Sequence, residues 1–141
     1  MKRFQILFLL CLALSFTFSI FAQDTKEVII LQTSDVHSRI EPINQKGDRY
    51  YNKGGFVRRA AFLEQFRKEH KNVLLFDCGD ISQGTPYYNM FRGEVEIKLM
   101  NEMGYDAMTI GNHEFDFDVD NMARIFKMAD FPVVCANYNL D

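Results

Sequence analysis

Four short apolar runs, separated by stretches of helical periodicity, set what this chain can fold into. Val28–Thr33, Val73–Asp77, Ala107–Ile110 and Val133–Ala136 have the length and apolar character of buried strands. Between them, Phe56, Ala60, Leu63 and Phe66 recur at helical spacing within Phe56–His70, and Val95, Leu99 and Met103 do so within Gly93–Met103. Met122, Ile125, Phe126 and Ala129 form the apolar side of a third helix over Asp118–Ala129, with Pro132 beyond its end. Gly104 stands where a helix C-terminus takes a left-handed residue. The order β-α-β-α-β-α-β predicts an α/β fold with a parallel sheet and right-handed crossovers. The first strand is apolar throughout, which predicts cover on both faces. Ser38 to Lys53 is polar and rich in turn formers, and reads as a long loop.

In a parallel sheet the carboxyl ends of the strands share one edge, and side chains just beyond them converge. Three clusters sit there: Asp35-Val36-His37, Gly79-Asp80 with Gly84 beyond, and Gly111-Asn112-His113-Glu114. Alternation along an extended segment would aim Asp35 and His37 the same way, an oxygen and a nitrogen ligand for one cation. Asp80 has two oxygens and could bridge two cations, or could simply cap the turn that follows. Asn112 offers an amide oxygen to a second metal. His113 is free to touch substrate, with Asp116 three residues on to orient its ring. The alternative for this last cluster is a Gly-Asn turn with a locally satisfied histidine. Carboxylates, imidazoles and an amide together suit a divalent-metal site.

Composition narrows the setting. Lys2 and Arg3 precede an apolar stretch from Phe4 to Ala22, which reads as a secretory signal peptide over residues 1–22, cleaved before Gln23. An uncleaved membrane anchor is the alternative. Cys11 lies after Leu10, without the small residue that precedes a lipidated cysteine. Residues 23–141 suffice for one modest domain with a core. Of 16 basic residues, 14 remain after cleavage against 19 acidic, a formal charge of −5. That balance speaks against a polymeric nucleic acid as partner. Cys78 and Cys135 fall at strand ends and read as free buried thiols rather than a disulfide.

These motifs resemble those of the calcineurin-like metallophosphoesterases. Asp35-x-His37, Gly79-Asp80-x-x-x-Gly84 and Gly111-Asn112-His113-Glu114 match the first three motifs of that superfamily. Gly-Gly-Phe-Val-Arg-Arg (54–59), Gln-Gly-Thr-Pro (83–86) and Gly-Asn-His-Glu-Phe-Asp (111–116) look like its bacterial 5′-nucleotidase branch. The resemblance implies a layered metallophosphoesterase sheet and hydrolysis of nucleoside phosphates by a metal-bridging hydroxide. It implies two divalent metal ions, zinc, manganese or similar. Asp35 and His37 would hold the first, Asp80 would bridge, and Asn112 would hold the second. His113, oriented by Asp116, would serve the phosphoryl group or the leaving oxygen. Two positions depart from the pattern: Ser38 replaces a frequent glycine and would narrow the space beside the metals, and Asp118 replaces another at a helix start.

The family's further metal-binding histidines have no counterpart, since the only histidines are 37, 70 and 113. The expectation is therefore the first half of a catalytic domain, truncated after the fourth strand, with an incomplete second metal site. By family such a chain would be an exported phosphoester hydrolase, periplasmic or extracellular, with no stable membrane span after leader removal, and alone it should bind metal weakly and hydrolyse little. It would act on a nucleotide or other small phosphoester, with a second polypeptide completing the domain. The alternative is a non-catalytic remnant that binds a cation or phosphate weakly.

Overall fold

The computed structural model describes residues 25–138, together with Gln5. Apart from Gln5, the leader expected over 1–22 lies outside the described residues. Among the described residues, no helix is long and apolar enough to cross a membrane.

Four strands form one sheet in the order β1-β2-β3-β4: β1 is Ile29–Thr33, β2 Val73–Asp77, β3 Ala107–Thr109 and β4 Val133–Val134. Every neighbouring pair is parallel, with Leu31 beside Leu75, Asp77 beside Met108, and Met108 beside Val133. Four helices intervene: α1 Phe56–Glu69, α2 Pro86–Phe91, α3 Glu94–Met103 and α4 Val119–Phe126. A 3-10 turn, His113–Phe115, follows β3. The expected α/β order and parallel sheet are thus present, with shorter third and fourth strands.

Two helices differ from the expectation, α2 by its presence and α4 by its end. Helix α2 starts on Pro86, whose fixed φ suits a first helical position, and ends at Arg92 in the left-handed region (φ 53°). Six residues are too few to display a helical period. Helix α4 stops at Phe126 rather than Ala129, because Met128 and Ala129 close as turns onto Ile125 and Phe126. Asp118 caps α4 by accepting a hydrogen bond from Asn121 N at 2.8 Å, so its departure from the family pattern builds a helix start. Gly104 caps α3 with φ 65°. Arg67 of α1 completes that cap, donating to Met103 O (2.5 Å) and Gly104 O (2.8 Å) and tying the two helices together.

The core lies on one side of the sheet. Phe56 and Leu63 of α1, Ile97, Met100 and Met103 of α3, and Ile125 of α4 pack on Leu75 and Met108. The opposite side carries Ile30 (63 % exposed) and Val134 (52 % exposed). Cover on both faces of β1 is therefore not what the described residues show: its residues alternate between half-buried and exposed.

Asp77 ends β2 under this core. It is 2 % exposed, accepts from Thr33 Oγ1 at 2.5 Å and from Gly79 N at 2.8 Å, and Thr33 in turn meets Tyr105 OH at 2.9 Å. Burial lifts its pKa from 3.8 to about 6, against the opposing pull of Thr33, Gly79 and Arg59. The native chain thus holds this proton more tightly than the unfolded chain. Its contribution favours folding below about pH 4 and is lost as pH rises through about 6, worth about 3 kcal/mol at most. Asp77→Asn keeps an acceptor for Gly79 and gives Thr33 a donor. Urea unfolding should find Asp77→Asn more stable than wild type at pH 7, by ~2 kcal/mol, and the gap closed at pH 4.

Candidate metal centre

Beyond β1 and β2 the chain keeps pairing after regular strand geometry ends. Cys78 N donates to Thr33 O (2.8 Å), Asp35 N to Gly79 O (3.0 Å), His37 N to Asp80 O (3.0 Å) and Ser38 N to Ile81 O (2.7 Å). This zipper lays the first two motifs side by side. It bends by placing Asp35 (φ 53°), His37 (45°), Ser38 (53°) and Asp80 (55°) in the left-handed region. Asp and His tolerate that region better than most residues, at a cost of about 1 kcal/mol or more each.

The third motif is attached through Glu114. Its carboxylate is fully buried and accepts three backbone N–H groups: Asp80 (2.9 Å), Ser82 (3.2 Å) and Gly111 (2.7 Å). Two of those amides belong to the loop after β2, and one to the loop after β3. The loops touch so closely that a Cβ on Gly79 would lie 2.4 Å from Gly111 N, and a Cβ on Gly111 2.3 Å from Asp80 Oδ1. Asp80 Oδ1 also accepts from His113 N at 2.9 Å. The role of Glu114 was not anticipated, although it belongs to the Gly111-to-Glu114 motif.

The result is a compact ligand group. One ligand atom each from His37, Asp80 and His113 lie within 4.8 Å of one another, and the imidazoles meet edge to face at 5.0 Å. His37 Nδ1 lies 3.2 Å from Ser82 O, and His113 Nδ1 lies 2.9 Å from Asp116 Oδ2. Each ring is held through Nδ1, which leaves Nε2 for a ligand. The hydrogen bond that His113 donates to Asp116 raises the His113 pKa above its ordinary value. Two imidazole nitrogens and a carboxylate fit a divalent transition-metal ion, zinc through the imidazoles or the harder manganese through the carboxylate.

The expected residues do not all arrive together. His37 and Asp80 do, with Asp116 attached through His113. His113, expected to act on substrate, stands in the ligand group itself. Asp35 lies outside that group, and its carboxylate instead accepts from Ser34 Oγ. The extended alternation expected for Asp35 and His37 fails because both have left-handed φ. Asn112 is exposed at the start of the 3-10 turn. Ser38, expected to narrow the space beside the metals, is buried and bonds inward to Glu96. Both cysteines are free, but Cys78 is exposed and Cys135 half-buried, so neither is the buried thiol expected. One concavity, of about 600 Å³ between α1 and α3, is lined by residues such as Leu63, Arg67 and Met103, remote from these ligands. A smaller one of about 420 Å³, lined by Arg39, Glu41, Gly84 and Tyr87, flanks the His37 segment.

Replacing Glu114 tests the three-amide anchor. Glu114→Gln turns an NH₂ against at least one buried amide and should lower stability by about 1–3 kcal/mol, with Glu114→Ala lower still. Urea denaturation reads both.

The comparisons with known proteins agree with this geometry. Residues 28–139 match the family model described as calcineurin-like phosphoesterase. The snake venom 5′-nucleotidase of Crotalus adamanteus is 41 % identical over 115 residues, which is 79 % of this chain and 20 % of the relative. The 5′-nucleotidase precursor of Thermus thermophilus superposes with a TM-score of 0.70 at 37 % identity, over 78 % of this chain and 22 % of that one. The NAD nucleotidase of Haemophilus influenzae superposes with a TM-score of 0.70 at 35 % identity, over 78 % and 20 %. The chain spans about a fifth of the length of these relatives. With the zippered loops, the glycine contact and the histidine–aspartate group falling inside the matched residues, this chain belongs to the calcineurin-like phosphoesterase family.

Proposed function

We propose that this chain carries the first metal-binding part of an exported, metal-dependent phosphoester hydrolase of the 5′-nucleotidase kind, acting on nucleotides or related small phosphoesters. The observation that carries the reading is the convergence of His37, Asp80 and His113 past three neighbouring strands. The named relatives supply the substrate class, and the snake venom relative agrees with work outside the cell. In this proposal His37, Asp80 and Asp35 would hold one divalent ion, and Asp80 and Asn112 would hold a second. Residues 23–141 then form the N-terminal half of the domain, and a second polypeptide segment completes the site.

A divalent ion at such a site supplies a nucleophile at neutral pH and neutralises phosphoryl charge. The chain's own residues do the positioning. Asp80 is held by His113 N and, through its backbone, by Glu114, so its carboxylate keeps one aim. Asp116 fixes the His113 tautomer and presents Nε2 towards the group. His113 is then placed to meet a phosphoryl oxygen or to give a proton to the leaving oxygen. For this role Asp35 must turn its carboxylate from Ser34 towards His37. That requirement favours a second reading, in which the chain binds a cation or phosphate without turnover.

Phosphate release from AMP by the purified chain with manganese or zinc separates the two. Metal-dependent release that falls at least ~100-fold in Asp80→Ala supports hydrolysis. Release that is unchanged in Asp80→Ala overturns the proposed site. Manganese binding without release by this chain alone is what an incomplete hydrolase site gives, and only a lack of release after the completing segment is added supports the binding module. The Asp116 contact sets a pH dependence as well. Because it raises the His113 pKa, the imidazole keeps the proton it would give to the leaving oxygen up to a higher pH than an ordinary histidine does. Asp116→Asn should lower the His113 pKa, read by nuclear magnetic resonance titration of its ring signals in the metal-free chain.

A further inference from the structure

Glu96 is a fully buried carboxylate that the site described above does not use. It sits on α3 beside Ile97, among residues that otherwise belong to the apolar core. One oxygen, Oε1, accepts a hydrogen bond from Ser38 Oγ, and the other, Oε2, has no partner among the described residues. A buried carboxyl group without a cation carries a desolvation cost, which a leucine there would avoid. Its contact therefore does something other than stabilise the fold.

That contact is with the residue following His37. Ser38 is fully buried, and Thr85 holds it from a second side: Thr85 Oγ1 donates to Ser38 O at 2.9 Å and lies 2.7 Å from Ser38 Oγ. His37 and Ser38 are consecutive left-handed residues, at φ 45° and 53°. Such a pair persists only where its surroundings hold it. His37 itself has a backbone bond to Asp80 O and a ring contact with Ser82 O, both from the loop after β2. Glu96 is the anchor supplied from the helix layer. It pins the strained turn from behind while the imidazole faces the ligand group.

We infer that Glu96 is a positioning residue for His37, acting through Ser38, and that it trades fold stability for a fixed imidazole. The inference rests on the reading of His37 as a metal ligand. It also explains why serine at position 38 is compatible with the site: its side chain is directed into the helix layer.

The test compares Glu96→Leu, Glu96→Gln, Ser38→Ala and the Glu96→Leu/Ser38→Ala pair in the purified chain. Urea unfolding, manganese affinity and the ring ¹H–¹⁵N signals of His37 without metal are the readouts. Glu96→Leu should be at least as stable to urea as wild type, yet bind manganese on the order of ten-fold more weakly, with His37 ring signals broadened or doubled. Glu96→Gln, whose amide oxygen accepts the same bond, should restore a single set of ring signals and most of the affinity. The pair should bind no more weakly than Ser38→Ala, because both changes break one link. Unchanged His37 signals and manganese affinity in Glu96→Leu and Ser38→Ala overturn the inference. Should Glu96→Leu not fold, Ser38→Ala, which removes only a hydroxyl, decides by the same readouts. If the wild type binds no manganese, or His37→Ala binds it equally well, the metal reading falls. The metal-free His37 signals then still decide whether Glu96 positions the ring.

Discussion

The acceptance of three backbone amides by Glu114 is the constraint on which the site depends. Loops that follow different strands are free to diverge once the ladder ends, and hydrogen bonds to a charged acceptor are worth about 1.5–3 kcal/mol each. Glu114 places such bonds on Asp80, Ser82 and Gly111, so the loops after β2 and β3 cannot part without stranding buried donors. The glycines at 79 and 111 let the two backbones approach to the distance that one carboxylate can span. Asp80 and His113 then inherit their positions from the backbone, before any ion is considered.

A second economy lies in how strain is distributed. Three of the four left-handed residues at the site are Asp or His, types that accept that region most readily. The fourth, Ser38, is held by Thr85 and Glu96 together. The zipper from Cys78 to Ile81 supplies the backbone bonds that keep the bend closed. Stability and chemistry are thus coupled in a few residues. Buried acids at 77, 96 and 114 surround the strand ends, each with a different partner set: a threonine hydroxyl and one amide, a serine hydroxyl, and three amides.

Legibility followed the range of the interactions. Strands β1, β2 and β3 were readable because apolar runs bounded by polar residues need only local patterning. Helix α2 was not, because six residues carry no period and its start signal, Thr85-Pro86, falls inside a motif read for its chemistry. The convergence of His37 with Asp80 followed from strand order. The aim of Asp35 did not, since it turned on a left-handed φ set by the pairing with Gly79. Ser38 was misread for a related reason: its partner, Glu96, is 58 residues away, and nothing local to Ser38 announces it.

The sequence by itself determined the α/β order, the parallel sheet edge where the motifs gather, and the family whose motifs they are. Those depend on hydrophobic period and on which residue types stand past each strand, both of which are written locally. Only the tertiary structure decided that His113 joins His37 and Asp80, that Asp35 turns aside, and that Glu114 and Glu96 hold the loops from beneath. Each of those outcomes is set by hydrogen bonds between segments far apart in the chain. Such bonds depend on loop φ angles and inter-loop distances, which no local pattern encodes.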